Sequence, residues 1–523
     1  MLSIIVLTSL AIACNREQER QLAELQDQKE ALENSLKELP EAHQPAVNDL
    51  GISLDKDYYW VDAGGSVTLY YTLSQSASLS ATAGEGWSAT IAATGATEGE
   101  ITVTAPDPAS PGIIQIEAVG GDGITAGTFV QIFVRRPYTN VASPRIESLA
   151  YNGLRDGHAT DYHFQKIVDA GMTILTVEGE DEIFGPGWRD QCLLAEKVGL
   201  KVVLFINYTA GLYSDDPENF KGLDALVNEA KQYKAICAYQ ISDEPSTVLG
   251  PRLAVAKKRI NELDPEHPVY INLNPSGGSV ENMGALTYAQ YVEYFATYCD
   301  LEFITFDQYP VYFTGVQDAW YEALDVVSST AKRHGVPFWA FLLCSRIPRR
   351  EDPTLENMRL QGNMNLAYGA QCNQFFVWRC LSDSDYAPFM NDGTYIEKAY
   401  NDCRDYNREM HNREFVFAGC DVRCVRHVGH DFYLHGKHLS NSDLPEVISN
   451  ISTDGNVAVS FLGNNGNEYV VICNKSWQEK VLVDINFTRE VYTIDREAEF
   501  AKQDPGLTRF TIDEGDMLVV KWK

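Results

Sequence analysis

Between Pro144 and Glu409 the sequence alternates apolar strands with amphipathic helices, and this strand–helix unit repeats eight times. The predicted strands cover residues 146–151, 173–178, 201–207, 236–242, 268–274, 302–307, 337–343 and 374–378. Eight such units within roughly 250 residues are typical of a (β/α)8 TIM barrel. The repeat therefore predicts a barrel whose functional residues stand at the carboxyl ends of its strands.

Strand patterns without helices flank the predicted barrel on both sides. From Gly51 to Pro137, short strands are separated by Gly, Ser, Asp and Pro turns, which predicts a small Ig-like β-sandwich. After Arg413 the strands return, and an antiparallel β-sandwich packed against the barrel is expected. The predicted organisation is a signal peptide (1–13), a helical tether (14–45), the Ig-like sandwich (46–137), the barrel (138–412) and the C-terminal sandwich (413–523).

The N-terminus predicts export. The apolar run from Leu2 to Ala13 is too short to span a bilayer and fits a signal peptide. It ends at Ala11-Ile12-Ala13-Cys14, which resembles the lipobox of bacterial lipoproteins. That resemblance implies a lipid anchor at Cys14 and a location at the cell envelope, on the outer membrane, facing the periplasm or the cell surface. Because no Lys or Arg precedes the run, an ordinary secretory signal is the alternative.

A polar helical segment follows, in which leucines recur at three- and four-residue steps from Leu22 to Leu39. The pattern covers fewer than three heptads before Pro40. Two interpretations stay open, a stalk that self-associates and a solvated spacer helix.

Charge and motif content exclude several function classes. The chain has 42 Lys and Arg against 73 Asp and Glu, a formal net charge of −31, so its field repels nucleic acids and other polyanions. No glycine-rich phosphate loop, HExxH or GxSxG motif occurs, which argues against nucleotide, zinc-protease and serine-hydrolase chemistry. We therefore expect a neutral partner and no metal or organic cofactor.

The residues that end the predicted strands are carboxylates, amides and aromatics. Amides and carboxylates bind hydroxyl groups, and an aromatic face stacks on a sugar ring, so this mixture favours an oligo- or polysaccharide. The predicted substrate-binding residues are Tyr151, Glu178, Asn207, Tyr208, Asn272, Tyr309 and Trp378.

The most specific motif is Ser242-Asp243-Glu244-Pro245, at the end of the fourth strand. With this motif and the strand-six Asp307-Gln308-Tyr309-Pro310, the barrel resembles the clan A glycoside hydrolases, including bacterial β-galactosidase-like members. The resemblance implies that Glu244 is the general acid/base. The N-terminal strands, such as residues 100–106, resemble the Ig-like or BACON-like modules of Bacteroidetes lipoproteins.

The chain departs from that family at the end of strand seven, where Leu343-Cys344-Ser345 offers no nucleophilic acid. Three replacements stay open. Asp307 could act as nucleophile or as base for a water. Asp243 and Glu244 resemble the Asp-Glu pair of certain N-acetylhexosaminidases, in which the substrate's acetamido group attacks. Glu178 or Glu180 on strand two could also be recruited.

The sequence thus predicts an envelope glycoside hydrolase that cleaves a neutral glycan, with Glu244 as acid/base. The rival interpretation from another class is a non-catalytic glycan-binding lipoprotein, a barrel that lost the strand-seven acid and kept its groove.

Overall fold

The computed structural model describes residues 50–55, 58–62, 64–84, 86–106, 112–121, 123–135, 145–154, 157–178, 187–206, 220–380, 386–429 and 437–522. The chain forms two compact units, residues 1–135 and 136–523. Within the described ranges, no helix combines the length and the apolar content that crossing a membrane requires. Several predictions fall outside these ranges: the signal peptide, Cys14, the Leu22–Leu39 segment, Glu180, Asn207 and Tyr208.

The first unit contains two four-stranded sheets, as the turn-rich N-terminal pattern predicts. The strands are β1 (Ile52–Leu54), β2 (Tyr58–Asp62), β3 (Ser66–Leu73), β4 (Ala77–Ala83), β5 (Ser88–Ala93), β6 (Glu98–Thr104), β7 (Gly112–Gly120) and β8 (Thr125–Arg135). One sheet has the order β1-β3-β6-β5 and the other β2-β8-β7-β4. Leu69, Tyr71 and Leu73 alternate with exposed residues along β3, so one face of that strand packs into the core.

The predicted barrel is confirmed: eight parallel strands close on themselves in the second unit. In barrel order they are β9 (Glu147–Ala150), β10 (Ile174–Glu178), β11 (Lys201–Phe205), β12 (Ile236–Asp243), β13 (Val269–Leu273), β14 (Ile304–Phe306), β17 (Phe338–Leu343) and β18 (Cys372–Phe376). A short hairpin, β15 (Val311–Tyr312) and β16 (Gly315–Val316), lies in the loop after β14.

Helices surround the strands, and both faces of the sheet are covered. The described helices of this unit are α1 (Asp161–Asp169), α2 (Trp188–Val198), α3 (Phe220–Ala230), α4 (Gly250–Leu263), α5 (Val280–Met283), α6 (Tyr288–Tyr298), α7 (Ala319–His334), α8 (Leu355–Ala367), α9 (Glu397–Asn412) and α10 (Glu414–Phe417). Leu149, Val203 and Phe341 belong to a separate apolar cluster inside the barrel. Near-continuous apolar runs are what a parallel strand buried on both faces requires.

The C-terminal strands form two further antiparallel sheets, which agrees with the predicted fold class. The strands are β19 (Asp421–Val428), β20 (Ile448–Thr453), β21 (Val457–Asn464), β22 (Asn467–Asn474), β23 (Val481–Phe487), β24 (Val491–Ile494), β25 (Phe500–Gln503), β26 (Gly506–Ile512) and β27 (Met517–Lys521). Val459 and Phe461 of β21 join the core between the sheets, whereas Ala458 and Leu462 join the barrel's core. The six-stranded sheet β19-β21-β22-β27-β24-β25 therefore packs against the barrel.

Candidate active site

Asp243 and Glu244 stand where β12 leaves the barrel. The register between β12 and β13 shifts between Gln240 and Ser242, a bulge that re-aims the residues following it. Glu244 has φ +47°, a left-handed conformation that costs a non-glycine residue about 1–3 kcal/mol. Its backbone N–H donates to Asn272 O (2.9 Å), and its carbonyl accepts from Asn274 Nδ2 (3.0 Å). These bonds hold the carboxylate at the strand end despite the strain.

Asp307 follows β14 directly, and only β13 separates that strand from β12, which Glu244 follows in turn. A hydrogen bond joins their carboxyl groups, and two carboxyl groups can form such a bond only by sharing a proton. Burial, then the charges of Glu244 and Asp243, raise the pKa of Asp307 well above its usual range. In the free protein one proton is therefore held between Asp307 and Glu244. We call Glu244 and Asp307 the carboxyl pair.

Asn272 forms hydrogen bonds with two of the carboxyl groups, those of Asp243 and Asp307. Its Nδ2 donates to Asp243 Oδ1 (2.9 Å) and to Asp307 Oδ1 (3.4 Å). Its Oδ1 accepts from Thr305 Oγ1 (2.7 Å), and that oxygen accepts in turn from Gln374 Nε2 (3.1 Å). Asn272 is 2% exposed, and its amide is occupied by these contacts. In this structure the Asn272 amide orients carboxylates, and its binding of substrate stays a prediction.

Asp243 is exposed to solvent, yet its surroundings disfavour the charged form of its carboxyl group. More than a third of its surface faces solvent, yet the mouth of the barrel is concave, and surrounding protein displaces much of the bulk water. Desolvation, together with the negative charge of Glu244, raises the pKa of Asp243 to about 6, although the Asn272 hydrogen bond opposes this. Three carboxyl groups therefore compete for protons within one small region.

Two tyrosines stand beside the carboxyl groups. Tyr309 is partly buried and packs against Phe376 (ring centroids 5.0 Å apart), and the Tyr151 ring lies 5.1 Å from that of Phe341. The Tyr151 hydroxyl accepts from Gln240 Nε2 (3.3 Å). Burial and the nearby aspartates raise the pKa of both phenols well above the usual value, so both keep their protons. Each remains able to donate a hydrogen bond.

Trp378 does not lie where the sequence predicts. It is fully buried in the core outside the barrel strands, and its ring packs edge-on against Tyr400 at 5.9 Å. No face of this side chain is available to a sugar, so its predicted place in the floor of a subsite is wrong. Glu178 ends β10 and is partly buried.

The end of strand seven has a structural role. Ser345 is 2% exposed; its Oγ accepts from Val377 N (3.0 Å) and donates to Phe376 O (3.3 Å). Cys344 is fully buried. These contacts tie β17 to the end of β18 at the position where the sequence offers no acid.

Sequence reasoning missed the polar residues beneath the carboxylates. Thr305 lies between Ile304 and Phe306, and Gln374 lies in a similar buried strand. The available signal was a hydrogen-bonding side chain inside an otherwise apolar barrel strand, because a buried polar group needs a partner. Gln374 Oε1 is buried without a hydrogen-bond partner among the described residues.

We expect Thr305→Val to destabilise the protein by about 1–3 kcal/mol, because valine keeps the shape but removes the hydrogen-bond partner of Asn272 Oδ1 and of Gln374 Nε2. The free energy of unfolding in urea measures this change. Thr176→Val is a suitable control for burial, since Thr176 is 1% exposed on β10 and its Oγ1 has no hydrogen-bond partner within the described part of the chain. Equal activity of Thr305→Val and wild type at every pH would show that the Asn272 amide needs no support from β14.

The raised pKa of Asp243 predicts that Asp243→Asn stabilises the protein at pH 7.5. The folded state binds this proton more tightly than the unfolded chain, so the carboxyl weakens folding as pH rises through about 6. After discounting for its open surface, we expect a gain of about 1 kcal/mol at pH 7.5 and none near pH 4. Urea denaturation from pH 4 to 8 tests this, and a difference that does not vary with pH would contradict it.

Comparisons with known proteins identify the fold. No family model matches the chain, and no curated protein matches it either. A GH42 β-galactosidase from G. stearothermophilus aligns with a TM-score of 0.51 and 10% identity over 74% of this chain and 99% of that one. This likeness shows a shared fold that includes the parallel eight-stranded barrel.

Two further solved structures align less well. A β-galactosidase from the psychrophilic Marinomonas ef1 gives a TM-score of 0.40 at 10% identity over 51% of this chain. The present chain spans 60% of that enzyme's length. A GH5 xyloglucanase from Bacteroides ovatus gives 0.31 at 11% identity, covering 69% of this chain and all of that one.

Proposed function

We propose that the protein is a glycoside hydrolase that cleaves a neutral oligo- or polysaccharide. The carboxyl pair carries the proposal: Glu244 and Asp307 share a proton at the carboxyl ends of barrel strands. Glycoside hydrolysis needs one protonated and one ionised carboxyl group near the scissile bond. The carboxyl pair supplies this combination without an acid on strand seven, provided that a bound sugar separates the two groups to the distance of about 5 Å or more that hydrolysis requires. The barrel shared with a GH42 β-galactosidase is consistent with this activity.

The two carboxyl groups have complementary roles in the proposed reaction. The shared proton goes to the glycosidic oxygen as the bond to the anomeric carbon breaks, and the remaining carboxylate attacks that carbon or activates a water. In the free protein the proton is held between the two carboxyl groups, so either group can deliver it. Because the two groups are hydrogen-bonded, the proton can move to Glu244 before transfer. Tyr151 and Tyr309 would donate hydrogen bonds to sugar hydroxyls or to the attacking oxygen.

A second candidate is substrate-assisted cleavage of an N-acetylated sugar, with Asp243 orienting the acetamido group. The observation in its favour is the Asp243 carboxylate, which Asn272 fixes at 2.9 Å while its surface stays open. This reaction would use Glu244 as acid and would not need Asp307 as nucleophile.

Release of reducing sugars from matched neutral and N-acetylated glycans tests both candidates. Wild type, Asp243→Asn and Glu244→Gln are compared on each glycan. Hydrolysis of neutral glycans that requires Glu244 supports the first candidate, and hydrolysis confined to N-acetylated glycans supports the second. Binding without hydrolysis across the whole panel would instead favour a non-catalytic glycan-binding lipoprotein.

We also propose that the protein is lipid-anchored at Cys14 in the cell envelope of a bacterium. Ala11-Ile12-Ala13-Cys14 supports this proposal through its likeness to a lipobox. Metabolic labelling with a fatty acid tests it, because Cys14→Ser should abolish incorporation of the label.

A further inference from the structure

The hairpin β15–β16 presents an exposed aromatic ring in the loop that follows Asp307. Phe313 lies at the tip of this hairpin and is 69% exposed. Phe313 follows Asp307 by six positions, so its Cα lies within about 20 Å of that residue even if the chain were fully extended. Single exposed apolar residues are ordinary on protein surfaces, so exposure alone carries no argument.

The support beneath Phe313 distinguishes it from an ordinary exposed residue. Arg350 Nε donates to Tyr309 O (2.6 Å), and the Arg350 guanidinium stacks 3.4 Å from the centre of the Tyr312 ring. Tyr312 and Arg350 also form a β-bridge. Glu351 N donates to Val311 O (3.1 Å), and Gln317 N donates to Pro310 O (3.0 Å). The loops after β14 and β17 therefore hold the hairpin at several points.

A side chain on a held hairpin loses less conformational freedom when a ligand stacks on it than one on an unsupported loop. Its apolar face suits the C–H face of a pyranose ring. The net charge of −31 and the three carboxyl groups at the barrel mouth disfavour an anionic polysaccharide. A neutral sugar chain that passes from the carboxyl pair over the hairpin is therefore the ligand that fits.

We propose that Phe313 forms a remote stacking subsite for a neutral polysaccharide, so that the substrate is a polymer and not a disaccharide. This inference rests on the proposed function, because it takes the carboxyl pair as the cleavage site. This subsite would bind sugar units farther along the polymer and not the sugar at the scissile bond.

Binding to polymers tests the subsite without hydrolysis. The full chain carrying Glu244→Gln is run in native gels containing β-1,4-galactan, xyloglucan, galactomannan or β-1,3-glucan, and retardation gives the dissociation constant. Adding Phe313→Ala should raise that constant about 10-fold for the retarding polymer. Phe313→Leu should weaken binding nearly as much, whereas Phe313→Trp should keep it. Phe129→Ala is the matched control, because Phe129 is 68% exposed on β8 of the first unit.

The inference is overturned if none of the four polymers retards the protein, or if Phe313→Ala binds as tightly as its parent. Equal binding by Phe313→Leu would also overturn it, since a general apolar contact would then suffice. Release of reducing sugar from short neutral oligosaccharides by wild type, and its loss in Glu244→Gln, report on the proposed function alone. Failure of the subsite and failure of the hydrolase proposal are therefore distinguishable.

Discussion

Asp307→Asn and Glu244→Gln are each expected to lower kcat on a glycan substrate by about 10³-fold or more, because each leaves the carboxyl pair without one of its two functions. Both substitutions keep the size of the side chain. The double variant should lose little beyond either single one, since residues that act as a unit give non-additive effects. Initial rates of reducing-sugar release measure these changes. Additive losses in the double variant would show that the two carboxyl groups work independently.

Leaving-group dependence separates the two roles. A dinitrophenyl glycoside needs no protonation of its departing oxygen, so the variant that lacks the proton donor should retain much of its rate on that substrate. The variant that lacks the nucleophile or base should lose activity on dinitrophenyl and alkyl glycosides alike. If Asp307 supplies the proton, Asp307→Asn is the variant that the good leaving group rescues. Rescue of Glu244→Gln instead would return the acid role to Glu244.

The shared proton also fixes the direction of the pH dependence. Because the pKa of Asp307 is raised well above its usual range, the pair keeps one proton at a pH where an ordinary aspartate has lost it, and releases that proton as pH rises further. At low pH the second carboxyl group takes up a proton, and the ionised group is lost. The profile of kcat/KM should therefore be bell-shaped, with apparent pKa values that belong to the pair. A profile that stays flat across both limbs would contradict proton sharing.

The barrel could be predicted from sequence because its signal is repeated eight times and each repeat is long. The positions of Asp243, Glu244 and Asp307 follow from the same logic, since parallel strands bring their carboxyl ends to one rim. Their role assignments do not follow, because pKa depends on burial and on neighbouring charges that only the fold brings together. The sequence could place Asp307 near Glu244 but could not show that they share a proton.

Trp378 and Asn272 show a second limit of prediction from sequence. Both occur at or near strand ends, and both are residue types that bind sugars, yet one is buried in the core and the other is occupied by carboxylates. A residue's position along a strand does not predict which way its side chain points after the strand ends. The Thr305–Gln374 contact joins β14 to β18, two strands 69 residues apart in sequence, and local patterns carry no information about such a pair.

A buried ion pair outside the site predicts the largest stability effect. Arg359 of α8 and Glu409 of α9 form two parallel hydrogen bonds, with Nε to Oε2 at 2.8 Å, and their side chains are 10% and 4% exposed. Arg413, which is fully buried, lies 3.7 Å from Asp516 Oδ1 and donates through Nε to the Glu409 carbonyl. Two buried guanidinium groups, those of Arg359 and Arg413, therefore lie in this region. Of the two, Arg359 forms a direct ion pair with the Glu409 carboxylate.

Glu409→Gln is expected to destabilise the protein by about 3–5 kcal/mol, because it leaves the Arg359 charge buried without its partner. The matched control is Asp484→Asn, which breaks a similarly bidentate pair with Arg509 (2.7 and 2.8 Å) on the surface. An exposed pair contributes at most about 1 kcal/mol, so the control should change little. Urea denaturation measures both free energies of unfolding.

Replacing both partners of the ion pair distinguishes the cost of a buried unpaired charge from the loss of packing. Arg359→Met combined with Glu409→Leu should recover most of the loss, since well-packed apolar residues avoid the cost of desolvating two ions. Activity per folded molecule should stay near that of wild type in all these variants, because α8 and α9 contribute no residue to the carboxyl pair. A loss of only about 1 kcal/mol for Glu409→Gln would mean that water reaches Arg359, so that the region around this pair is less dry than its burial indicates.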